Sequence, residues 1–120
     1  MNALPVGVAA VAAFVASGAY YGALGSRLAR LSPAYAGPGR PAAATAAVEL
    51  VRNVVLALVV AWLADGDIPV VALALALWIA FPAVLLVGSV FHERVPVALA
   101  AIHAGDWLIK LLLITGIVGL

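Results

Sequence analysis

Cysteine is absent from the sequence, and charged residues are scarce, at 9% of 120 residues. Without cysteine the chain has no disulfide framework, no thiolate nucleophile, no Cys-based zinc site and no iron–sulfur cluster. The few charges leave too little polar surface for a soluble domain, because 68% of the residues are hydrophobic. The composition therefore predicts that lipid, rather than water, is the main solvent of this protein.

Motifs that accompany several kinds of chemistry are also missing. The formal net charge is only +1 and the six basic residues are scattered, unlike the clustered basic residues of a nucleic-acid binder. Only two histidines are present, and one of them, His92, lies in a turn region, so metal or haem binding is disfavoured. No Gly-rich phosphate loop, nucleophile elbow or His-Glu metalloprotease motif occurs. We expect neither a metal nor a cofactor.

Four long apolar stretches dominate the chain, at about residues 3–24, 41–64, 68–91 and 97–120. Each approaches the ~20 residues that cross a hydrocarbon core of ~30 Å. Backbone groups in lipid must bond within their own segment, and the stretches lack the alternation of barrel strands, so helices are predicted. Short connections favour antiparallel neighbours. The predicted fold is an all-α membrane protein, an antiparallel bundle of four transmembrane helices in a single domain of residues 1–120.

The connections have the composition of loops and turns. Residues 26–40 are rich in Arg, Pro, Gly and Ser and are predicted to form a loop, whereas residues 65–67 and 92–96 are predicted to form tight turns. Pro82 lies well inside the third stretch, where it removes a backbone donor and should kink the helix.

The charges in these connections predict the orientation. The first connection carries three arginines, whereas the second carries two aspartates and no basic residue, so the first should be cytoplasmic and both termini outside. Abundant alanine and the preference for arginine over lysine are typical of a GC-rich bacterial genome, and we expect the bacterial cytoplasmic membrane. A cleaved signal peptide is the competing interpretation of the first stretch, which lacks the positively charged start of such a peptide.

The most informative feature is a pair of polar stripes within the second and fourth stretches. A charge at the centre of a membrane helix costs roughly 2.5–3.5 kcal/mol, so these side chains are expected to face the bundle interior. Spacings of three and four residues place each set on one helix face. The second-span stripe is Glu49, Arg52 and Asn53, and the fourth-span stripe is His103, Asp106, Trp107 and Lys110.

The two stripes are expected to meet near the middle of the membrane. Arg52 and Asp106 each lie about ten residues inside their helix, or ~15 Å at the rise of an α-helix. We therefore expect Arg52 to pair with Asp106 across the bundle, with acids and bases in balance. If Lys110 satisfies Asp106 within its own helix instead, Arg52 must bond Glu49, and the stripes form separate pairs. Tyr20 and Tyr21 end the first helix at a similar depth, and Tyr21 is expected to direct its hydroxyl at the cluster, unless both belong to an interfacial aromatic belt.

Short motifs along the chain resemble those of a known family. They are Asn2 near the start, residues 18–25 (GAYYGALG), residues 77–81 (LWIAF) and residues 102–108 (IHAGDWL). With them the whole chain resembles the domain of unknown function (DUF) 1761 family of small bacterial membrane proteins. The resemblance implies four membrane spans and supplies no activity. The chain departs from the family pattern at Tyr20, where Trp is usual, and in the following loop, which lacks a further Trp.

Several interpretations of the stripes remain open. The polar cluster holds the bundle together, either alone or while also forming a site for a lipophilic small molecule. Alternatively, the protein is a membrane-embedded acid–base enzyme of the isomerase, epoxide-opening or cyclase type, or a small proton-coupled transporter. The candidate catalytic residues are Glu49, Arg52, Asn53, His103 and Asp106, and the candidate substrate-binding residues are Tyr20, Tyr21, Trp107 and Lys110. The expected partners are membrane lipid, a lipophilic small molecule and a second copy of the chain, but no nucleic acid.

The predicted orientation can be tested by labelling single introduced cysteines, since the chain has none of its own. In intact cells a membrane-impermeant thiol reagent is expected to label Gly66→Cys in the second connection and to spare Ser32→Cys in the first. Preferential labelling at position 32 would reverse the predicted topology.

Overall fold

The computed structural model describes residues 2–37 and 41–119, and all regular elements in these two ranges are helical. Four helices are long and apolar enough to cross a membrane, as in a multi-pass membrane protein. They match the predicted spans closely and confirm the all-α fold with four membrane-length helices, whereas antiparallel packing of the whole bundle stays a prediction. The elements are α1 (Ala3–Ala23), α2 (Gly25–Leu31), α3 (Ala42–Ala64), α4 (Val70–Trp78), α5 (Val84–Glu93) and α6 (Val97–Val118).

Proline and asparagine mark the beginnings of the spanning helices. Pro41, Pro69 and Pro96 directly precede α3, α4 and α6. Proline suits this position because its ring holds φ near the helical value and the missing N–H would have no partner in the first turn. α1 follows Asn2, whose side chain accepts a hydrogen bond from the Leu4 amide at 3.1 Å. The polar and proline-rich connections therefore set the helix boundaries.

The first connection contains a short helix, which corrects the prediction of a loop for residues 26–37; residues 38–40 of that predicted loop lie outside the described residues. α2 follows α1 after a break at Leu24, and a single 3₁₀ turn, Pro33–Tyr35, comes next. Leu28 is buried, and Leu24 and Leu31 pack beside it, so one face of α2 is apolar while its arginines lie on the other side. The Arg, Ser and Gly content suggested a loop, but the leucines at helical spacing decide the local structure.

The third span is interrupted at Pro82, as predicted. A π-helical segment, Ile79–Ala83, joins α4 to α5. Proline has no N–H and its ring crowds the preceding turn, and the wider π turn accommodates both effects. Just before this segment, Trp78 donates its Nε1–H to the Ala104 carbonyl of α6 at 2.9 Å. The third span is thus tied to α6 next to its interruption.

Two clusters of buried side chains hold the helices together. The larger one, the four-helix core, takes aliphatic residues, most of them alanine, from α1, α3, α4 and α6, and the alanines permit close approach of the backbones. The smaller one, the α1–α2–α6 core, consists of Leu28, Leu99 and Ile102 with the two tyrosines of α1 beside them. Within the described part of the chain, α3 contributes to the four-helix core alone, through Ala57, Val60 and Ala61.

α3 therefore packs along its C-terminal half and stands away from the bundle along its N-terminal half. From Ala42 to Arg52 every residue of α3 is exposed except Glu49, which is half-buried. A wedge of space results between this half of α3 and the facing surfaces of α1 and α6. The wedge is the feature of the fold that positions the site.

The contact between α1 and α6 can be tested at Gly105, where Tyr20 crosses α6. A Cβ atom at Gly105 would lie 2.5 Å from the Tyr20 hydroxyl oxygen, which donates to the Ile102 carbonyl at 2.9 Å. We expect Gly105→Ala to destabilise the protein in detergent by about 1–3 kcal/mol, because this hydroxyl must move. Adding Tyr20→Phe should recover much of the loss in thermal unfolding.

Gly116→Ala, farther along the same helix, is the matched control, since a Cβ there meets nothing within 4 Å. It is expected to be neutral or slightly stabilising. Equal losses in the two alanine variants would show that α1 does not approach α6 at Gly105.

Candidate functional site

A cavity of about 650 Å³ occupies the wedge between α1, α3 and α6. Its lining includes both polar stripes, so the two sets of residues that the sequence singled out do converge on one space. The side chains of α1 and of the 3₁₀ turn complete the wall. The lining residues are Phe14, Ser17, Gly18, Tyr21, Tyr35, Ala42, Thr45, Ala46, Glu49, Arg52, Asn53, His103, Asp106, Trp107 and Lys110.

The cavity extends from the end of the bundle to its middle. Tyr35 and Ala42 lie beside its outer part, at the start of α3. Asn53 lies eleven residues farther along the same helix, or ~16 Å deeper at the rise of an α-helix. Since Ala42, Thr45 and Ala46 are exposed as well as lining, the cavity is open along the N-terminal half of α3.

Asp106 is the centre of the polar contacts on the α6 side. One carboxylate oxygen accepts a hydrogen bond from the Ser17 hydroxyl of α1 at 2.6 Å, and the other lies 2.9 Å from the Lys110 ammonium. The side chains of Asp106 and Lys110 are only 3% and 5% exposed. A buried carboxylate needs such partners, since an unpaired charge in the interior is costly. The network satisfies Asp106 and links α1 to α6.

The predicted ion pair between Arg52 and Asp106 is wrong. Arg52 bonds Glu49 at 2.7 Å, three residues back in its own helix, and Asp106 bonds Lys110. The side chains of Arg52 and Glu49 are 56% and 32% exposed, because this half of α3 stands away from α6. The second-span stripe thus faces the open wedge and does not join the buried network. Pairs within one helix need no approach of a second helix, and both stripes have the spacing to form them.

Both tyrosines of α1 bond α6. The Tyr21 hydroxyl lies 2.5 Å from the His103 Nδ1 atom, and the Tyr20 hydroxyl donates to the Ile102 carbonyl. The expected direction of Tyr21 toward the polar cluster therefore agrees with the structure, while Tyr20 bonds the backbone and does not line the cavity. From Ser17 to Tyr21 the partners on α6 move from Asp106 back to His103, the order expected of two antiparallel helices.

Tyr35 lies at the outer part of the cavity, outside the spanning helices. Its ring centroid is 6.4 Å from that of His103. Burial raises the pKa of the Tyr35 phenol, and the carboxylates of Glu49 and Asp106 add to the rise. The phenol therefore keeps its proton at neutral pH and remains a hydrogen-bond donor.

Asn53 lines the inner part of the cavity and is 1% exposed. Its Nδ2 amide donates to the Glu49 carbonyl of its own helix at 2.7 Å. Within residues 2–37 and 41–119, its Oδ1 is the one buried side-chain oxygen or nitrogen without a hydrogen-bond partner. Buried polar atoms of folded proteins nearly always have a partner, so this unpaired acceptor calls for an explanation.

Trp107 and Lys110 form the remaining wall of α6. The Lys110 ammonium lies 5.1 Å from the centroid of the Trp107 ring, within the range of a cation–π contact. In the two described ranges, no group of three or more His, Asp or Glu side chains is placed to hold a metal ion. The arrangement can supply hydrogen-bond donors and acceptors beside an aromatic surface.

Of the polar and aromatic side chains that line the cavity, the sequence analysis missed Phe14, Ser17, Tyr35 and Thr45. Ser17 precedes Tyr20 and Tyr21 by three and four residues, so the helical spacing that identified the other stripes also contained this signal. Tyr35 had no comparable signal, since it lies in the 3₁₀ turn after α2, outside the helices that carry the stripes. Eight of the nine candidate site residues line the cavity, and Tyr20 does not.

The buried pair of Asp106 and Lys110 can be tested by a double-mutant cycle. We expect Asp106→Leu to destabilise the protein in detergent by about 3–5 kcal/mol, because Lys110 is left buried without a counter-charge. The double variant Asp106→Leu/Lys110→Leu should recover much of this loss in thermal or denaturant unfolding.

Glu49→Leu is the control, because it removes the acid of a pair with half-exposed side chains. Its effect should be smaller, since exposed ion pairs contribute about 0–1 kcal/mol. If the losses from Asp106→Leu and Lys110→Leu simply add, the two side chains are not coupled.

Comparison with known proteins supplies a family. No curated protein and no solved structure matches the chain significantly. A family model described as "Protein of unknown function (DUF1761)" matches residues 4–119, which is nearly the whole chain. Apart from Ala3 at the start of α1, the four spanning helices lie within the matched region, as does the whole lining of the cavity. The chain therefore belongs to the DUF1761 family.

Proposed function

We propose that the cavity between α1, α3 and α6 binds a lipophilic small molecule that carries a polar group. The observation that carries this proposal is the convergence of both polar stripes on one cavity of about 650 Å³ among helices of membrane length. Ligand sites in proteins typically have volumes of ~300–1,000 Å³ and apolar walls with a few placed polar groups. The cavity has this size and this kind of wall.

The polarity of α3 supports a ligand site over a purely structural role. Among the described residues, Arg52 and Asn53 bond only to Glu49, within α3 itself. These side chains therefore do not tie α3 to its neighbours, although polar groups at this depth are costly in lipid. The fourth-span stripe does hold two helices together, through Asp106 and Ser17. A polar ligand group accounts for the second-span stripe, which helix packing leaves unexplained.

The open side of the cavity supports entry from the membrane. Small residues, Ala42 and Ala46, line it where α3 stands away from the bundle. Phe14 and Trp107 offer apolar surface inside. A lipophilic molecule can then place its polar group beside Arg52 and leave its apolar part in or near the bilayer.

We further propose that the protein resides in the bacterial cytoplasmic membrane, with residues 26–40 in the cytoplasm and both termini outside. The charges of the connections support this orientation. Arg27 and Arg30 are exposed residues of α2, in the first connection, whereas the turn after α3 is acidic. The outer part of the cavity would then lie at the cytoplasmic side of the membrane.

Photolabelling with cavity-filling variants tests ligand binding. The purified protein in lipid nanodiscs is exposed to diazirine-bearing hexadecyl probes with alcohol, sulfate or trimethylammonium headgroups. We expect at least one probe to label cavity residues saturably, as mapped by mass spectrometry. Ala46→Phe should abolish this labelling, because the ring occupies the space beside Thr45 and Glu49.

Ala47→Phe is the matched control: it makes the same change one residue later, at an exposed position outside the cavity lining. It should leave labelling unchanged. Labelling that is equal in both variants would place the probes on the lipid-facing surface and contradict a ligand site in the cavity.

A further inference from the structure

Two features of the cavity wall restrict the chemistry of its ligand. The formal charges that line it, those of Glu49, Arg52, Asp106 and Lys110, sum to zero, and each is paired within its own helix. Asn53 lines the inner part, and its buried Oδ1 has no hydrogen-bond partner among the described residues. We propose that the ligand is a neutral lipid whose polar group is a hydroxyl. This inference rests on the proposed ligand site and names its ligand class.

The charge balance argues against an ionic headgroup. Arg52 and Glu49 lie 2.7 Å apart, and Lys110 and Asp106 lie 2.9 Å apart, so no lining charge is left for an ionic group to neutralise. An ionic headgroup would therefore add an uncompensated charge at a depth where charges are costly. A neutral polar group adds none.

The unpaired acceptor argues for a donor on the ligand. The amide of Asn53 cannot be turned over, because the atom that lies 2.7 Å from the Glu49 carbonyl must carry hydrogen. Oδ1 is therefore the atom without a partner, and only a group with a hydrogen to donate satisfies it. A ligand that only accepts hydrogen bonds leaves Oδ1 of Asn53 without a hydrogen-bond partner.

A hydroxyl can bond both to the hydrogen-bond acceptors and to the hydrogen-bond donors of the cavity wall. It donates one hydrogen, to Asn53, and accepts through its oxygen from the donors that share the cavity. Arg52 is one such donor, since its bond to Glu49 uses one of the five guanidinium N–H groups. A long-chain alcohol places its hydroxyl beside Asn53 and Arg52 and its hydrocarbon chain toward the open side.

Competition against the diazirine-bearing hexadecyl alcohol tests this assignment. The competitors share one chain and differ in headgroup: hexadecanol, hexadecyl methyl ether, hexadecyl sulfate and hexadecyltrimethylammonium. We expect hexadecanol to compete about tenfold more strongly than the ether, the effect of one buried hydrogen bond, and more strongly than both ions. Asn53→Leu should weaken the alcohol to the level of the ether. Thr115→Val is the control, since the buried Thr115 hydroxyl bonds its own helix and does not line the cavity.

The outcomes separate the two proposals. Equal competition by hexadecanol and its ether overturns the donor requirement, and stronger competition by either ion overturns the neutral class. In both cases sensitivity to Ala46→Phe would leave the ligand site itself standing. If no probe is sensitive to Ala46→Phe, both proposals fail. Should Asn53→Leu not fold, the comparison of alcohol and ether on the unaltered protein decides the question.

Discussion

One buried carboxylate, that of Asp106, ties α1 to α6 in the interior of the bundle. Asp106 accepts from Ser17 of α1 and pairs with Lys110 of its own helix, and all three side chains are buried. In lipid there is little hydrophobic drive between helices, so hydrogen bonds and close packing must supply the attraction. The tyrosines of α1 extend this contact toward the end of the bundle through His103 and the Ile102 carbonyl. These bonds give α1 and α6 a defined register.

The four-helix core and the α1–α2–α6 core together explain why a cavity exists. Alanine and valine pack α3 against α1 and α6 at one end of the bundle, where the backbones approach closely. At the other end, α2 covers the neighbouring surface of α1 and α6 with Leu28, and α3 has no part in that cluster among the described residues. α3 therefore touches the bundle along half its length. The space beside its other half is a consequence of where the apolar contacts lie.

The sequence was sufficient to predict the helices, because their length and apolar composition are local properties. The spans agree with the structure to within a few residues, and the helical spacing identified the seven stripe side chains that line the cavity. The partners of those side chains could not be predicted in the same way. The positions of Arg52 and Asp106 along their helices can be counted from the sequence, but such positions do not specify how far apart two helices stand. That distance depends on the packing of α3 elsewhere, at Ala57 and Val60.

Local neutralisation of charge is what allows the cavity to remain open. If Arg52 and Asp106 had depended on each other, the burial of either charge would have drawn α3 onto α6 and closed the wedge. Instead Glu49 and Lys110 supply counter-charges at spacings of three and four residues. Each helix therefore carries a neutral polar face before it meets its neighbour. The faces need not touch, and the unpaired oxygen of Asn53 shows that the polar groups of α3 are not all satisfied by the protein itself. The hydroxyl-bearing ligand proposed above would supply the hydrogen that this oxygen lacks.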